Sequence, residues 1–224
     1  MFRGDLFAAD EYYHIFNRGN HKEKIFHTKA DYIRFLFLIL YLQSPHSLDQ
    51  MSRLVKIFST IKLDRQSPTS KILEKLEQKV INNRFVELVG FALMPNHFHL
   101  FVRAITDDGV SKYMQKILTA FTKYSNTKNE TVGHVFQGPF GCKRIEDNDQ
   151  LLYLSTYIHR NPKEIPGWEE RELEYPWSSF QDYITKNRFE NLLKPEIILD
   201  QFTNTKEYRK FVDDSIAKDN DYFD

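Results

Sequence analysis

Two histidines separated by one residue, His97 and His99, lie inside an apolar run at residues 91–102. The run is dominated by Phe, Leu and Val, which is typical of a buried strand. Because side chains alternate between the faces of a strand, both imidazoles are expected on one face and Phe98 on the other. Two imidazoles on one sheet face are a natural pair of metal ligands, and burying them without a purpose would cost free energy.

The composition suits one domain with appendages. The chain has 224 residues, 31 Lys and Arg, 31 Asp and Glu, and one cysteine, Cys142. A single cysteine excludes an internal disulfide framework and suits a reducing compartment. Residues 1–5 show no signal-peptide pattern, and the longest apolar run, residues 35–42, is too short to span a bilayer. We therefore expect a soluble cytoplasmic protein without a membrane partner.

Charge is spread unevenly along the chain. Residues 1–83 carry a net charge of +4, residues 84–163 carry +3 and residues 164–224 carry −7. A basic body with an acidic C-terminal segment is compatible with a nucleic-acid partner. Many proteins that bind no nucleic acid share this distribution, so it does not establish such a partner by itself.

The hydrophobic pattern predicts strands and helices in alternation. A strand that ends in a turn is predicted at 12–19, and further strands are predicted at 85–91 and 97–104. Residues 133–145 are strand-like but interrupted by Gly and Pro. Helices are predicted at 29–42 with Thr28 as the cap, and at 70–81, 107–128, 151–161 and 206–216. Residues 43–70 lack periodicity and are predicted to be a long loop or insertion.

This alternation predicts an α+β fold. The leading arrangement is a ferredoxin-like antiparallel sheet with helices on one face, followed by a C-terminal helical extension. We expect a domain over residues 1–180, which contains the insertion at 43–70, and an acidic helical extension over residues 181–224.

The helix at 151–161 carries polar groups that are candidates for the same site. Tyr153, Tyr157 and Asn161 recur every four residues and therefore share one helix face. If that face packs beside the histidine pair, a phenol and an amide oxygen reach the metal site together. A packed aromatic on an amphipathic helix is the usual role of a helical tyrosine such as Tyr157, and Tyr153 is its internal competitor. Asn161 is compatible with a helix end before Pro162.

Four blocks occur in order along the chain: YHIFNRG at 13–19, PNHFHL at 95–100, GHVFQG at 133–138 and YIHRNP at 157–162. The histidine pair is a weak signal alone, but the ordered set is specific. It resembles the single-tyrosine HUH transposases, and most closely their branch of REP-associated tyrosine transposases. The resemblance covers approximately residues 12–180.

The resemblance implies a DNA strand-transferase and endonuclease that cuts single-stranded DNA near hairpins. His97 and His99 match the residues that bind Mg²⁺ or Mn²⁺, and Asn161 matches a further ligand. Tyr157 matches the nucleophile, which forms a 5′-phosphotyrosine and leaves a free 3′-hydroxyl. Because Mn²⁺ tolerates imidazole better than Mg²⁺ does, we expect Mn²⁺ to support activity at least as well. Both monomers and homodimers occur in the family, and nucleoid DNA is the expected location.

Basic residues around the predicted site are candidates for contacts to the DNA backbone. They are Arg18, Lys112, Lys116, Lys123, Lys143, Arg144, Arg160 and Lys163. Any single one of them is more simply explained as part of a solvated surface, whereas the group could follow a phosphate backbone. Related sequences often carry Arg after the last glycine of the third block, where this chain has Pro139. That contact is therefore missing here or shifted to Lys143 and Arg144.

Other functions are weighed against this one. A non-catalytic nucleic-acid-binding module on the same sheet would keep binding after Tyr157→Phe and would form no covalent adduct. A metal-free two-histidine phosphoesterase would need a second His-x-Ser/Thr motif, which the chain lacks. A zinc hydrolase would need a third His or a carboxylate at ligand spacing.

Overall fold

The computed structural model describes residues 7–63 and 71–215, and a four-stranded antiparallel sheet forms its centre. The strands are β1 (Tyr12–Arg18), β2 (Val86–Met94), β3 (His97–Ala104) and β4 (Gly141–Arg144). They lie in the order β2-β3-β1-β4, and each neighbouring pair is antiparallel. With a helical connection after β1 and another after β3, this is the predicted ferredoxin-like arrangement, and the fold class is confirmed.

Eight α-helices lie within the described ranges. They are α1 (Lys29–Tyr41), α2 (Met51–Phe58), α3 (Lys71–Asn82), α4 (Gly109–Asn129), α5 (Asn148–Arg160), α6 (Phe180–Ile184), α7 (Glu196–Leu199) and α8 (Thr205–Asp213). None of the helices in these ranges is both long and apolar enough to cross a membrane.

Helices cover both faces of the sheet. On one face, α1 and α4 pack over β3, where the ring of Phe35 lies 4.8 Å from that of Phe98 and 5.1 Å from that of Phe121. On the other face, α5 places the ring of Tyr157 5.3 Å from that of His99. The prediction had helices on one face only. The second face is covered because β2 and β3 bury apolar side chains on both sides.

Helix α1 begins where the sequence predicts. The carboxylate of Asp31 accepts a hydrogen bond from the Thr28 backbone N–H at 2.8 Å, which satisfies a donor at the start of the helix. The same carboxylate lies 2.6 Å from Lys128 Nζ of α4. The cap therefore also joins the two helices on this face.

The prediction of a loop at residues 43–70 is wrong for the central part of that range. Residues 51–58 form α2, and Ser59–Leu63 continue as a π-helical turn, while 64–70 lie outside the described residues. The ring of Phe58 is buried 5.6 Å from that of Phe37 and 5.9 Å from that of Tyr41. Packing against α1 stabilises this short helix, although its own pattern is too brief to signal it.

The C-terminal segment packs on α5 and β2. Ser178 pairs with Ala92 in an isolated bridge, and Tyr183 Oη donates to the carbonyl of Val89 at 2.8 Å. Helix α8 begins one residue before the range predicted at 206–216 and ends at Asp213, and residue 216 lies outside the described part. The domain boundary at residue 180 stays a prediction.

Candidate active site

The histidine pair of β3 lies on the sheet face that α5 covers. The rings of His97 and His99 are 5.0 Å apart and nearly perpendicular, and Phe98 packs on the opposite face against α1. Strand alternation predicts this arrangement. His99 is buried, whereas His97 is partly accessible at the end of the strand.

A third imidazole, His14 of β1, lies beside this pair. His14 is fully buried, and its Nε2 is 2.9 Å from Nδ1 of His99, with the two rings stacked at 5.1 Å. His14 stands in the first sequence block, but sequence reasoning gave it no role. A buried polar residue within an apolar strand was the available signal.

Hydrogen bonds orient both histidines of the pair. Asn96 Nδ2 donates to the carbonyl of Lys22, so its Oδ1 is an acceptor, and His97 donates Nδ1–H to it at 2.6 Å. Nδ1 of His99 is engaged with His14. A metal would therefore meet Nε2 of both rings, with the second nitrogen held by a neighbour as is usual for metal-binding histidines.

Tyr157 lies against this cluster. Its side chain is buried, and its ring makes edge-on contacts with His99 at 5.3 Å and His14 at 5.7 Å. Helix α5 begins at Asp147, whose carboxylate accepts a hydrogen bond from the Gln150 backbone N–H at 2.8 Å, as is typical of an N-cap.

Tyr153, the competitor of Tyr157 on α5, is partly buried against the apolar cluster that also contains Tyr157. His159 faces away from the pair: its Nδ1 is 2.7 Å from Tyr208 Oη and its Nε2 is 2.9 Å from Ser179 Oγ. Both ring nitrogens of His159 are therefore engaged with side chains other than Tyr157.

Asn161 is fully buried one turn beyond Tyr157. Its Nδ2 donates to the carbonyl of Tyr157 at 2.9 Å, whereas its buried Oδ1 accepts no hydrogen bond from any described residue. A buried oxygen without a donor fits a metal ligand, because a cation would satisfy it. In the described ranges, no three His, Cys, Asp or Glu side chains are grouped so that they could hold a metal ion.

A cavity of about 580 Å³ opens in front of the histidine pair. Besides that pair it is lined by Phe16, Asn17, Arg18, Gln137, Gly138, Pro139, Gly141 and Glu164. Glu164, in the short 3₁₀ helix Asn161–Glu164, is the carboxylate of this lining. Sequence reasoning missed it, because nothing in its local pattern distinguishes it from a surface glutamate.

Gly141 of β4 allows one wall of the cavity to close. It is the register partner of Phe16, and a Cβ at this position would lie 2.3 Å from the Phe16 ring. Only a residue without a side chain permits the ring to lie here. The glycine that interrupts the predicted strand therefore has a packing function.

Three of the predicted basic residues lie near the cavity. Arg18 lines it at the end of β1, and Lys143 is the register partner of His14, so it lies on the same sheet face. Lys123 of α4 lines a neighbouring cavity that shares Gly138 and Pro139 with the first.

The structure does not bring the other five basic residues into this cavity. Arg144 points to the opposite sheet face and pairs with Glu11 at 2.6 Å. Lys112 pairs with Asp108 at 2.5 Å. Lys116 donates to the backbone carbonyls of residues 44 and 46, and burial lowers its pKa. The remaining two, Arg160 and Lys163, line a separate cavity whose other charged side chains are mostly acidic.

The comparisons with known proteins agree with the sequence blocks. Residues 60–161, which include both histidines of the pair, Tyr157 and Asn161, match the model of a family described as IS200-like transposase. One solved structure, described as a REP-associated tyrosine transposase bound to a REP hairpin, has a TM-score of 0.53 and 15% identity. It covers 83% of this chain, and the match spans 86% of that chain. No curated protein matches. The resemblance to transposases is confirmed, and the structural likeness supports the fold.

Proposed function

We propose that the protein is a metal-dependent single-strand DNA endonuclease and strand-transferase, a transposase whose nucleophile is Tyr157. One observation carries the proposal: the phenol ring of Tyr157 packs edge-on against His99, whose Nδ1 is held by His14. A nucleophile and a pair of metal ligands therefore share one buried cluster beside a cavity.

Single-stranded DNA beside a hairpin is the proposed substrate. The similar solved structure is described as bound to a REP hairpin. The cavity of about 580 Å³ is of the size that encloses small ligands, and Arg18 on its lining suits a phosphate. We propose that the protein acts on nucleoid DNA in the cytoplasm, as a monomer or a homodimer.

A divalent ion, Mn²⁺ or Mg²⁺, is the proposed cofactor, with Nε2 of His97, Nε2 of His99 and Oδ1 of Asn161 as its ligands. When bound, the ion neutralises charge on the scissile phosphate as a Lewis acid. The protein's own residues orient these ligands: Asn96 holds His97, His14 holds His99, and the bond from Asn161 to the Tyr157 carbonyl ties the third ligand to the nucleophile's helix.

The proposed chemical step is an exchange of phosphodiester bonds. Tyr157 Oη attacks phosphorus, the bond from phosphorus to the 3′-oxygen breaks, and a 5′-phosphotyrosine and a 3′-hydroxyl result. An ordinary tyrosine phenol has a pKa of about 10, so its proton must leave as the new bond forms. We assign Glu164 as the acceptor, because it is the one carboxylate among the described residues that line the cavity. The 3′-oxygen takes up a proton from water as it leaves, which yields the free 3′-hydroxyl.

The test uses single-stranded hairpin oligonucleotides from the repeats that flank this protein's own gene. Wild type, Tyr157→Phe and the matched control Tyr153→Phe are incubated with Mn²⁺ or EDTA and run on denaturing gels. We expect a covalent protein–DNA band from wild type and Tyr153→Phe with Mn²⁺ only. Tight binding without a band in any sample would favour the alternative, a non-catalytic nucleic-acid-binding module.

A further inference from the structure

A second cavity of about 580 Å³ lies beyond one wall of the candidate active site. Gly138 and Pro139 line both cavities and form the wall between them. The far side of the second cavity comes from α4 and from the segment that precedes the wall. We call it the α4 groove, and its polar lining consists of Thr119, Thr122, Lys123 and His134.

Lys123 is an uncompensated positive charge in this groove. Two other lysines of α4, Lys112 and Lys128, form ion pairs with Asp108 and Asp31, whereas Lys123 forms none with the described residues. A lysine that does not neutralise a carboxylate within its own fold is suited to a phosphate. The two threonine hydroxyls beside it are further donors of the kind that contact a DNA backbone.

The other residues that line the α4 groove suit contact with a nucleobase. The imidazole of His134 is exposed at the groove, and Phe136 and Leu118 supply apolar surface below it. Histidine and other flat side chains stack on unpaired bases without regard to sequence.

Two hydrogen bonds hold the wall between the cavities to β1. The Gln137 backbone N–H donates to the carbonyl of Arg18 at 2.9 Å, and Asn17 Nδ2 donates to the carbonyl of Gly138 at 3.1 Å. A Cβ added at Gly138 would meet nothing within 4 Å. A strand can therefore pass over Gly138 from one cavity into the other without displacing a side chain.

We propose that the α4 groove binds one or two nucleotides of the same DNA strand beyond the phosphate that the active site cuts. Lys123 and the threonines contact its backbone, and a base stacks on His134. This inference rests on the proposed function, because it takes the first cavity to hold the scissile phosphate.

The experiment measures how affinity depends on the length of the single-stranded flank. Hairpin oligonucleotides are lengthened one nucleotide at a time on either side and titrated in EDTA against wild type, Lys123→Gln and His134→Ala. Lys112→Gln is the matched control, since it removes the same charge from the same helix outside the groove. All three side chains are exposed, so equal melting temperatures are expected.

For wild type we expect a rise of about 10-fold in affinity when the flank on one side reaches the groove. Lys123→Gln and His134→Ala should lose that rise and bind shorter flanks as wild type does. Lys123→Gln should also lower the salt slope by about one. The proposal that the α4 groove binds nucleotides is overturned if the affinity of wild type shows no such rise. It is also overturned if the variants lower the affinity for long flanks, short flanks and duplex DNA equally.

The same samples separate the two proposals. Addition of Mn²⁺ allows the covalent adduct to be measured for each oligonucleotide. If adduct forms but does not depend on flank length, the proposal that the α4 groove binds nucleotides is contradicted and the proposed function is not. Absence of adduct in wild type contradicts the proposed function, whatever the flank dependence of binding.

Discussion

Nε2 of His14 lies 2.9 Å from Nδ1 of His99, and this side-chain hydrogen bond joins two neighbouring strands of the sheet. The bond connects the first sequence block with the block that contains the histidine pair. Because a ring nitrogen of His99 is committed to His14, the orientation of a candidate metal ligand depends on a residue far away in sequence. These two sequence blocks therefore meet in one side-chain cluster.

Replacement of His14 should weaken metal binding. His14→Phe keeps a flat ring in the buried position but removes the partner of His99, and loss of such a partner typically lowers metal affinity about 10–100-fold. Calorimetric titration with Mn²⁺ measures the change, with the exposed His27→Gln as control. Equal Mn²⁺ affinity in His14→Phe and wild type would show that His99 does not depend on this bond.

Two substitutions of Asn161 should separate the role of its amide oxygen from that of its amide nitrogen. Asn161→Ala removes the oxygen proposed as a ligand, and we expect Mn²⁺ affinity to fall at least about 10-fold. Asn161→Asp retains an oxygen and should retain Mn²⁺ binding. Both lose the donor to the Tyr157 carbonyl and should unfold about 1–2 kcal/mol more easily. Strong Mn²⁺ binding by Asn161→Ala would remove this residue from the ligand set.

Glu164 should affect the rate of adduct formation and not the affinity for DNA. A general base typically contributes about 10²–10⁴-fold, so Glu164→Gln should slow single-turnover adduct formation by at least about 100-fold. Glu169→Gln, in a different cavity, is the control. If Glu164→Gln forms adduct at the wild-type rate, the proton leaves Tyr157 by another route.

Gly141 should be sensitive to a single methyl group. In Gly141→Ala the new Cβ would overlap the ring of Phe16, which must turn within the cavity. A displacement of about 1 Å in a positioned site can cost about 100-fold in rate, so cleavage should fall by up to that factor. Glu169→Gln, which lies in a different cavity, is the control and should cleave normally. Equal rates for the two variants would contradict the assigned wall.

His159 should make stability depend on pH. Burial lowers its pKa to about 3, whereas an unfolded histidine has a pKa of about 6.5. Between these values the unfolded chain binds a proton that the folded chain does not, so stability is fully present above about pH 6.5 and falls as the pH decreases. This residue alone should cost about 2 kcal/mol between pH 7 and pH 5.

Urea unfolding at pH 7 and pH 5 measures this effect by comparison with His159→Gln. Glutamine can keep hydrogen bonds to Tyr208 or Ser179 but has no proton to gain, so the variant should lose less stability over this interval. Any contribution from His14 is present in both proteins. The same loss of stability in both would show that His159 is not the group that titrates.

Local patterns predicted most of the elements that carry the site. The bounds of β3, α1 and α5 agree with the sequence to within a few residues, because apolar periodicity marks all three and Thr28 marks the start of α1. Placement of Tyr157 beside the histidine pair came from the family resemblance. Periodicity alone gives a helix face and does not say which strand that face meets.

What the sequence missed depends on contacts between distant residues. Helix α2 is stabilised by burial of Phe58 against α1, and the partner of His99 stands on another strand. Glu164 reaches the cavity only because the chain turns after Pro162. The second helical layer also went unpredicted, since a strand buried on both faces does not indicate which helix covers each face.

The most direct test of the account is to identify the residue that carries the DNA. Wild-type protein is reacted with a hairpin oligonucleotide and Mn²⁺, the adduct is trimmed with nuclease and digested with protease, and the modified peptide is sequenced by mass spectrometry. The account predicts a nucleotide joined through its 5′-phosphate to Tyr157. A nucleotide on Tyr153 or on any other residue would contradict it.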